Sequence, residues 1–287
     1  MTFLIFTIIL STLNHLLFRV FARFRINLLS AIVSNYAVCV VIGFSSSVES
    51  TEIAAMFGQN WYPLSVLQGG IFVACFFLIG WTTKKNGVAI ASLSTRLSVA
   101  IPTFLAFFLY DDSVTALKFI GILTALFALF LTAFEFNVRS YRRQTIHIYP
   151  FFLFIVFGIH ATLVKYVQEH FLGSTSFHIY VMASFLSAFV ISGMVLLWRI
   201  IHQQHPGKRK DLLFGIILGF TNYGAIYFLL KALSVPGWQS SQLFPTISIA
   251  VVSLSSISAW AVFKERLNRK IIGAIMIGVG SIVLINL

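Results

Sequence analysis

A chain of 287 residues that is 59% hydrophobic and only 10% charged, with a mean hydropathy of +0.94, is not an ordinary soluble domain. It has room for ten stretches of the roughly 20 apolar residues that cross a hydrocarbon core. The net charge of +12 invites a nucleic-acid reading, but the basic residues cluster in loops on one side of the apolar stretches, so the expected partner is a lipid bilayer and not nucleic acid.

Hydropathy predicts helical spans at 2–18, 28–46, 63–82, 88–109, 115–134, 148–167, 176–198, 211–230, 238–262 and 271–286. The first, opening MTFLIFTIIL, has neither the basic start nor the cleavage site of a signal peptide, and reads as a true helix. It carries Asn14 and His15. The second holds Asn35-Tyr36 and Cys39, and the third holds Gln68, Gly69-Gly70 and Cys75. Both cysteines lie in apolar runs and read as small packing residues, not as a disulfide or metal pair.

The fourth span contains the most informative residue, Arg96, within GVAIASLSTRLSVAIP. A charge midway along an apolar span costs several kcal/mol, about 3 on insertion scales, unless it faces a wet cavity or a partner. Ser92, Arg96 and Thr103 share one helical face. The rigid guanidinium fork suits a carboxylate or phosphate, so Arg96 is expected to bind an anionic or zwitterionic solute. The alternative is that it bonds backbone carbonyls or hydroxyls and fixes helix packing.

Further along, the sixth span holds His160, a candidate for carrying a coupling proton or for a neutral core histidine. The eighth gives Thr221, Asn222, Tyr223 and Tyr227, the last two on one face. The ninth places Gln239, Gln242 and Thr246 in one stripe beside Pro245, which removes a helical hydrogen bond. Each of these side chains either lines a chamber or bonds a neighbouring helix. In the tenth, Ala274 and Gly278 suit close helix packing, within the chain or at a dimer surface. Trp61, Trp81, Trp198, Trp238 and Trp260 all fall near predicted helix ends, where indoles favour the membrane interface.

Sixteen of the twenty Lys and Arg lie after odd-numbered spans, from Arg19, Arg23 and Arg25 through Lys84, Lys85, Arg139, Arg142, Arg143, Arg199 and Lys208-Arg209-Lys210 to Lys264, Arg266, Arg269 and Lys270. The positive-inside rule makes that face cytoplasmic and puts both termini outside. Arg19 and Lys165 sit near span ends and can snorkel. The loop His202–Lys210 can contact anionic lipid.

The chain also reads as doubled, with Gly69, Gly87, Leu93, Ser98 and Ala100 overlaying Gly219, Gly237, Leu243, Ser248 and Ala250. Five spans per half would make the second half insert upside down, giving an inverted repeat. The expected division is 1–134, a basic connecting loop at 135–147, and 148–287.

ALSVPGWQSSQLFPT followed by FKERLNRKIIGAIMIGVG in the second half, and GVAIASLSTRLSVAIP then LYDDSVTALKFIG in the first, resemble an EamA-type carrier of the drug/metabolite transporter superfamily. Asp111-Asp112 and Glu265 occupy the acidic turns such carriers place after the fourth and ninth helices. The resemblance implies an all-α integral membrane protein of ten transmembrane helices, two inverted five-helix repeats around a central cavity. Small multidrug exporters of that superfamily use a glutamate in the first helix. Here all eight Asp and Glu lie in loops or near helix ends, which argues against proton-coupled export of organic cations.

No phosphate loop, HExxH, Cys/His metal spacing or buried carboxylate pair is present in the sequence, so no enzyme, metal or cofactor is expected. The expectation is a secondary transporter of a small, amino-acid-like metabolite across the inner membrane, acting by alternating access in the export direction, as a monomer or homodimer. Its solute site is expected at Arg96, Ser92, Gln242, Thr246, Asn14, His15, Gln68, His160, Asn222, Tyr223 and Gln239. A non-transporting membrane receptor or assembly protein, or a membrane-embedded enzyme, is the alternative.

Overall fold

The computed structural model of the chain describes residues 2–46, 50–86, 88–109, 115–134, 148–172, 177–202, 207–263 and 269–286. Gly87, Asp111-Asp112, Glu265 and the whole connecting loop 135–147 therefore lie outside the described residues. The described chain is helical, without strands: α1 (Thr2–Phe24), α2 (Leu28–Ser45), α3 (Ser50–Ala55) with a 3-10 turn at Met56–Gly58, α4 (Tyr62–Asn86), α5 (Val88–Leu97), α6 (Ala100–Leu109), α7 (Ala116–Phe134), α8 (Tyr149–His170), α9 (Phe177–Ile201), α10 (Arg209–Leu233), α11 (Ser240–Phe263) and α12 (Arg269–Asn286).

Among the described residues six helical stretches are long and apolar enough to cross a membrane: Leu28–Ser45, Tyr62–Thr82, Tyr149–His170, Phe177–Ile201, Arg209–Leu233 and Ser240–Val262. Shorter apolar helical stretches occupy Thr2–Phe18, Ser94–Leu109, Ala116–Leu131 and Ile272–Ile285, where the remaining spans are expected. Large apolar side chains are exposed along these helices, Phe108 at 81% and Met276 at 70% among them. Such apolar surface suits acyl chains far better than water.

One expected span differs in a way that matters. The stretch 88–109 is not one helix: α5 ends at Leu97, Ser98-Val99 form a turn, and α6 begins at Ala100. Pro102 explains the break. It has no N–H to return to the Ser98 carbonyl, and its ring crowds that carbonyl. The carbonyl accepts instead from the Ile101 N–H at 3.1 Å, a tighter turn than the α-helix makes. Hydroxyls add to the distortion, since Ser98 Oγ donates to Thr95 O at 2.7 Å and Thr103 Oγ1 to Val99 O at 2.8 Å.

The chain forms two compact units. The first takes Met1–Val73 and Tyr166–Val235, the second Ala74–Lys165 and Pro236–Leu287. Each unit thus draws on both halves of the sequence.

In the first unit α10 packs along α1 and α2, and α2 packs along α9. The α10/α2 crossing is close because of Gly215 and Gly219, four residues apart. A Cβ on Gly215 would run into the Ala31 carbonyl oxygen, and one on Gly219 would lie 2.6 Å from Val38 Cβ. Arg25, with φ of 50°, turns the chain from α1 into α2 while the Ile26 N–H caps the Phe21 carbonyl at 3.0 Å. A buried carboxylate, Asp211, then joins this turn to the start of α10. It accepts from the Lys208 N–H at 2.6 Å and the Asn27 N–H at 3.1 Å.

In the second unit α12 packs along α7 and α11, α11 also meets α6 and α7, and α5 meets α7. Ala274 is buried, and a Cβ on Gly278 would press on Ile249 Cγ2 at 2.8 Å. The small-residue pair of the last helix is therefore used within the chain.

Candidate functional site

In the first unit the polar face of α10 gathers several expected site residues. Thr221 Oγ1 donates to Asn14 Oδ1 on α1, and Asn222 Nδ2 donates to Asn35 Oδ1 on α2 at 3.4 Å. Cys39 Sγ also approaches Asn35 Oδ1, at 3.7 Å, and donates to Gly219 O at 3.3 Å. Asn35 is fully buried, and its Nδ2 has no hydrogen-bond partner among the described residues. Tyr223 is buried, and its hydroxyl lies 3.2 Å from His178 Nδ1 on α9. Asn14 and Asn222, both half-buried, thus bond neighbouring helices. Gln68 on α4 is buried, whereas His15 on α1 is exposed.

An aromatic layer supports this face. Phe185 of α9 stacks on Phe72 of α4 at 5.0 Å between ring centroids, and Tyr36 of α2 lies 5.8 Å from Phe185. Tyr223 continues the layer at 6.3 Å from Phe185. Stiff, close-packed rings hold the polar atoms of α10 in fixed positions.

In the second unit Arg96 is half-buried, one residue before the end of α5 and two before the Ser98-Val99 turn. Ser92 lies on α5, but its side chain is outside the described ones; the same holds for Arg19 on α1. Thr103, on the expected Arg96 face, gives its hydroxyl to Val99 O. His160 is half-buried in α8.

At the start of α11 the Gln242 side chain takes structural work. The Gln242 Oε1 accepts from the Gln239 N–H at 3.3 Å, the reciprocal bond of a helix-start box, and its Nε2 donates to Ile285 O on α12 at 2.9 Å. Gln242 therefore ties the start of α11 to the end of α12. Thr246, one turn on, is buried, and its Oγ1 has no hydrogen-bond partner among the described residues. A buried hydroxyl left in that state calls for a water or a solute. Pro245 beside it lies inside α11 and has no N–H to give to the helical ladder.

The site residues therefore fall into two sets. Asn14, His15, Gln68, Asn222 and Tyr223 belong to the first unit, while Arg96, Ser92, His160, Gln239, Gln242 and Thr246 belong to the second. His178 was not expected. It is the second residue of α9 and shares no polar stripe on its own helix, so only its meeting with Tyr223 of α10 reveals it. No group of three His, Cys, Asp or Glu able to hold a metal ion occurs among the described residues.

No family model matches the chain. A relative in Haemophilus influenzae, described as an uncharacterized protein, is 22% identical over 277 residues, covering 93% of this chain and 91% of its own. A protein with a solved crystal structure superposes with a TM-score of 0.74 at 16% identity, over 99% of this chain and 95% of that one. The fold of the whole chain is thus shared with a solved structure.

Proposed function

We propose that this chain is an EamA-type secondary carrier of the drug/metabolite transporter superfamily, with ten membrane helices in two inverted five-helix repeats. It moves a small anionic or zwitterionic, amino-acid-like metabolite across the inner membrane by alternating access, in the direction of export. The observation that carries this reading is the break at Ser98-Val99, with Arg96 beside it in an otherwise apolar segment. Irregular backbone inside an apolar span is tolerated where it is buried in protein or lines a water-filled cavity, and carriers build their solute sites from such interrupted helices. A guanidinium there meets the same requirement.

Thr246 and the Asn14–Thr221 and Asn35–Asn222 pairs support it as further polar groups in apolar helices. Arg96 supplies the anion contact, and Thr246 a hydroxyl. Gln242 holds α11 in place for them, and Tyr223 and Asn222 serve the first unit in the same way.

The test is flux into proteoliposomes across a panel of amino acids and other metabolites. We expect saturable flux of at least one solute, with Arg96→Ala lowering it about 30-fold or more while the protein still inserts. That factor corresponds to the roughly 2 kcal/mol lower bound for truncating one side of a buried charge contact. Unchanged flux in Arg96→Ala removes Arg96 from the solute path.

A further inference from the structure

The C-terminal end of the α10 polar face carries a cluster that the Arg96 reading does not use. Tyr223, Tyr227 and Lys231 follow one another at four-residue steps and so lie along one side of α10. Lys231 is half-buried, and the described contacts of its ammonium are two ring faces, Tyr227 at 5.0 Å and Phe3 of α1 at 5.4 Å. The His178 ring lies 4.2 Å from the Tyr227 ring and reaches the Tyr223 hydroxyl through Nδ1. Around them stand more rings: Phe228 is 5.4 Å from Tyr227 and 4.9 Å from Phe6.

Ring faces attract an ammonium by about 0.5 to 2 kcal/mol each, but they fill none of its three N–H donors. Half-buried among these rings, Lys231 is thus held in place with its N–H donors, among the described residues, open to a further partner. His178 is similar: with Nδ1 on Tyr223, its Nε2 edge is left to another partner. What completes such an arrangement is a compact anion with two oxygens. The rings suit a planar apolar body attached to that anion. A phosphate dianion would be better matched by arginine forks, which this cluster lacks.

We propose that His178, Tyr227 and Lys231 form a binding site for a small aromatic carboxylate, the carboxylate on Lys231 and the ring among Phe3, Tyr227 and Phe228. The site lies wholly in the first unit and does not depend on the Arg96 reading, because it is tested by binding and not by flux.

The experiment is thermal unfolding of the full chain in detergent, followed by tryptophan fluorescence, with benzoate, benzamide, inorganic phosphate or phosphatidylglycerol added. Benzoate should raise the midpoint in a saturable way, and benzamide, the same shape without charge, should not. Lys231→Gln should weaken the benzoate response at least tenfold, and Lys231→Arg should keep it within about threefold. His178→Gln, a second variant in case Lys231→Gln fails to fold, should also weaken it. A benzoate response that survives in Lys231→Gln, an equal response to benzamide, or no response to benzoate overturns the proposal. A Lys231-dependent response to phosphatidylglycerol without one to benzoate does so too, making the cluster a lipid anchor.

Discussion

The Asp211 carboxylate illustrates how much one side chain decides when most of the chain is apolar. It holds the N–H groups of Lys208 and Asn27, so it starts α10 and fixes the turn leading into α2 at once. Removing it strands two backbone donors in a poorly hydrated place. Asp211→Ala should cost about 2 to 3 kcal/mol, a lost cap plus a lost charged hydrogen bond, while Asp211→Asn should keep most of the stability. Equilibrium unfolding in detergent measures both; a fall under about 0.5 kcal/mol for Asp211→Ala contradicts this role. At this scale the sequence was only half legible. Spacing put Gln239, Gln242 and Thr246 on one stripe, but could not show that Gln242 spends both ends of its amide on Gln239 and Ile285. Asn14 and Asn222 were visible as polar residues in apolar spans, whereas their partners Thr221 and Asn35 come from distant parts of the chain.

At the scale of elements, the proposed function rests most on the interrupted α5–α6 segment. Hydropathy reads 88–109 as one span because the residues around Ser98-Val99, Arg96 apart, are mostly small or apolar, and the window averages over the proline. The break is legible only when Pro102 is read as a missing donor four residues after Ser98, with hydroxyl groups at Thr95, Ser98 and Thr103 turned back on their own helix. Pro102→Ala restores the donor and removes the ring clash, so that the α-helical bond to the Ser98 carbonyl can form. We expect this variant to unfold no more easily than the parent and to transport at least tenfold more slowly. Normal flux with a healed helix would show that the break is not used. Helix ends were less legible than helix existence: α1 runs to Phe24 and α4 to Asn86, past the expected 18 and 82, because basic and polar residues can extend a helix beyond its apolar stretch.

For the whole molecule, the proposed topology rests on composition and on the side-to-side bias of Lys and Arg. Apolar helical stretches occur at every expected position among the described residues, six of them of full spanning length. The repeat, by contrast, rests on sequence overlay, since each compact unit is assembled from both halves of the chain. If the basic loops are cytoplasmic, both termini are outside the inner membrane. An alkaline phosphatase fused after Leu287 should then be active and a green fluorescent protein there dark; the reverse pattern would invert the assignment. The carrier claim itself is tested most directly by counterflow, in which proteoliposomes preloaded with one unlabelled solute take up the same solute in labelled form. Transient accumulation that saturates with solute is expected, together with its loss in Arg96→Ala. Proteoliposomes that exchange no solute of the panel faster than protein-free ones, or an Arg96→Ala variant that accumulates as the parent does, would contradict it.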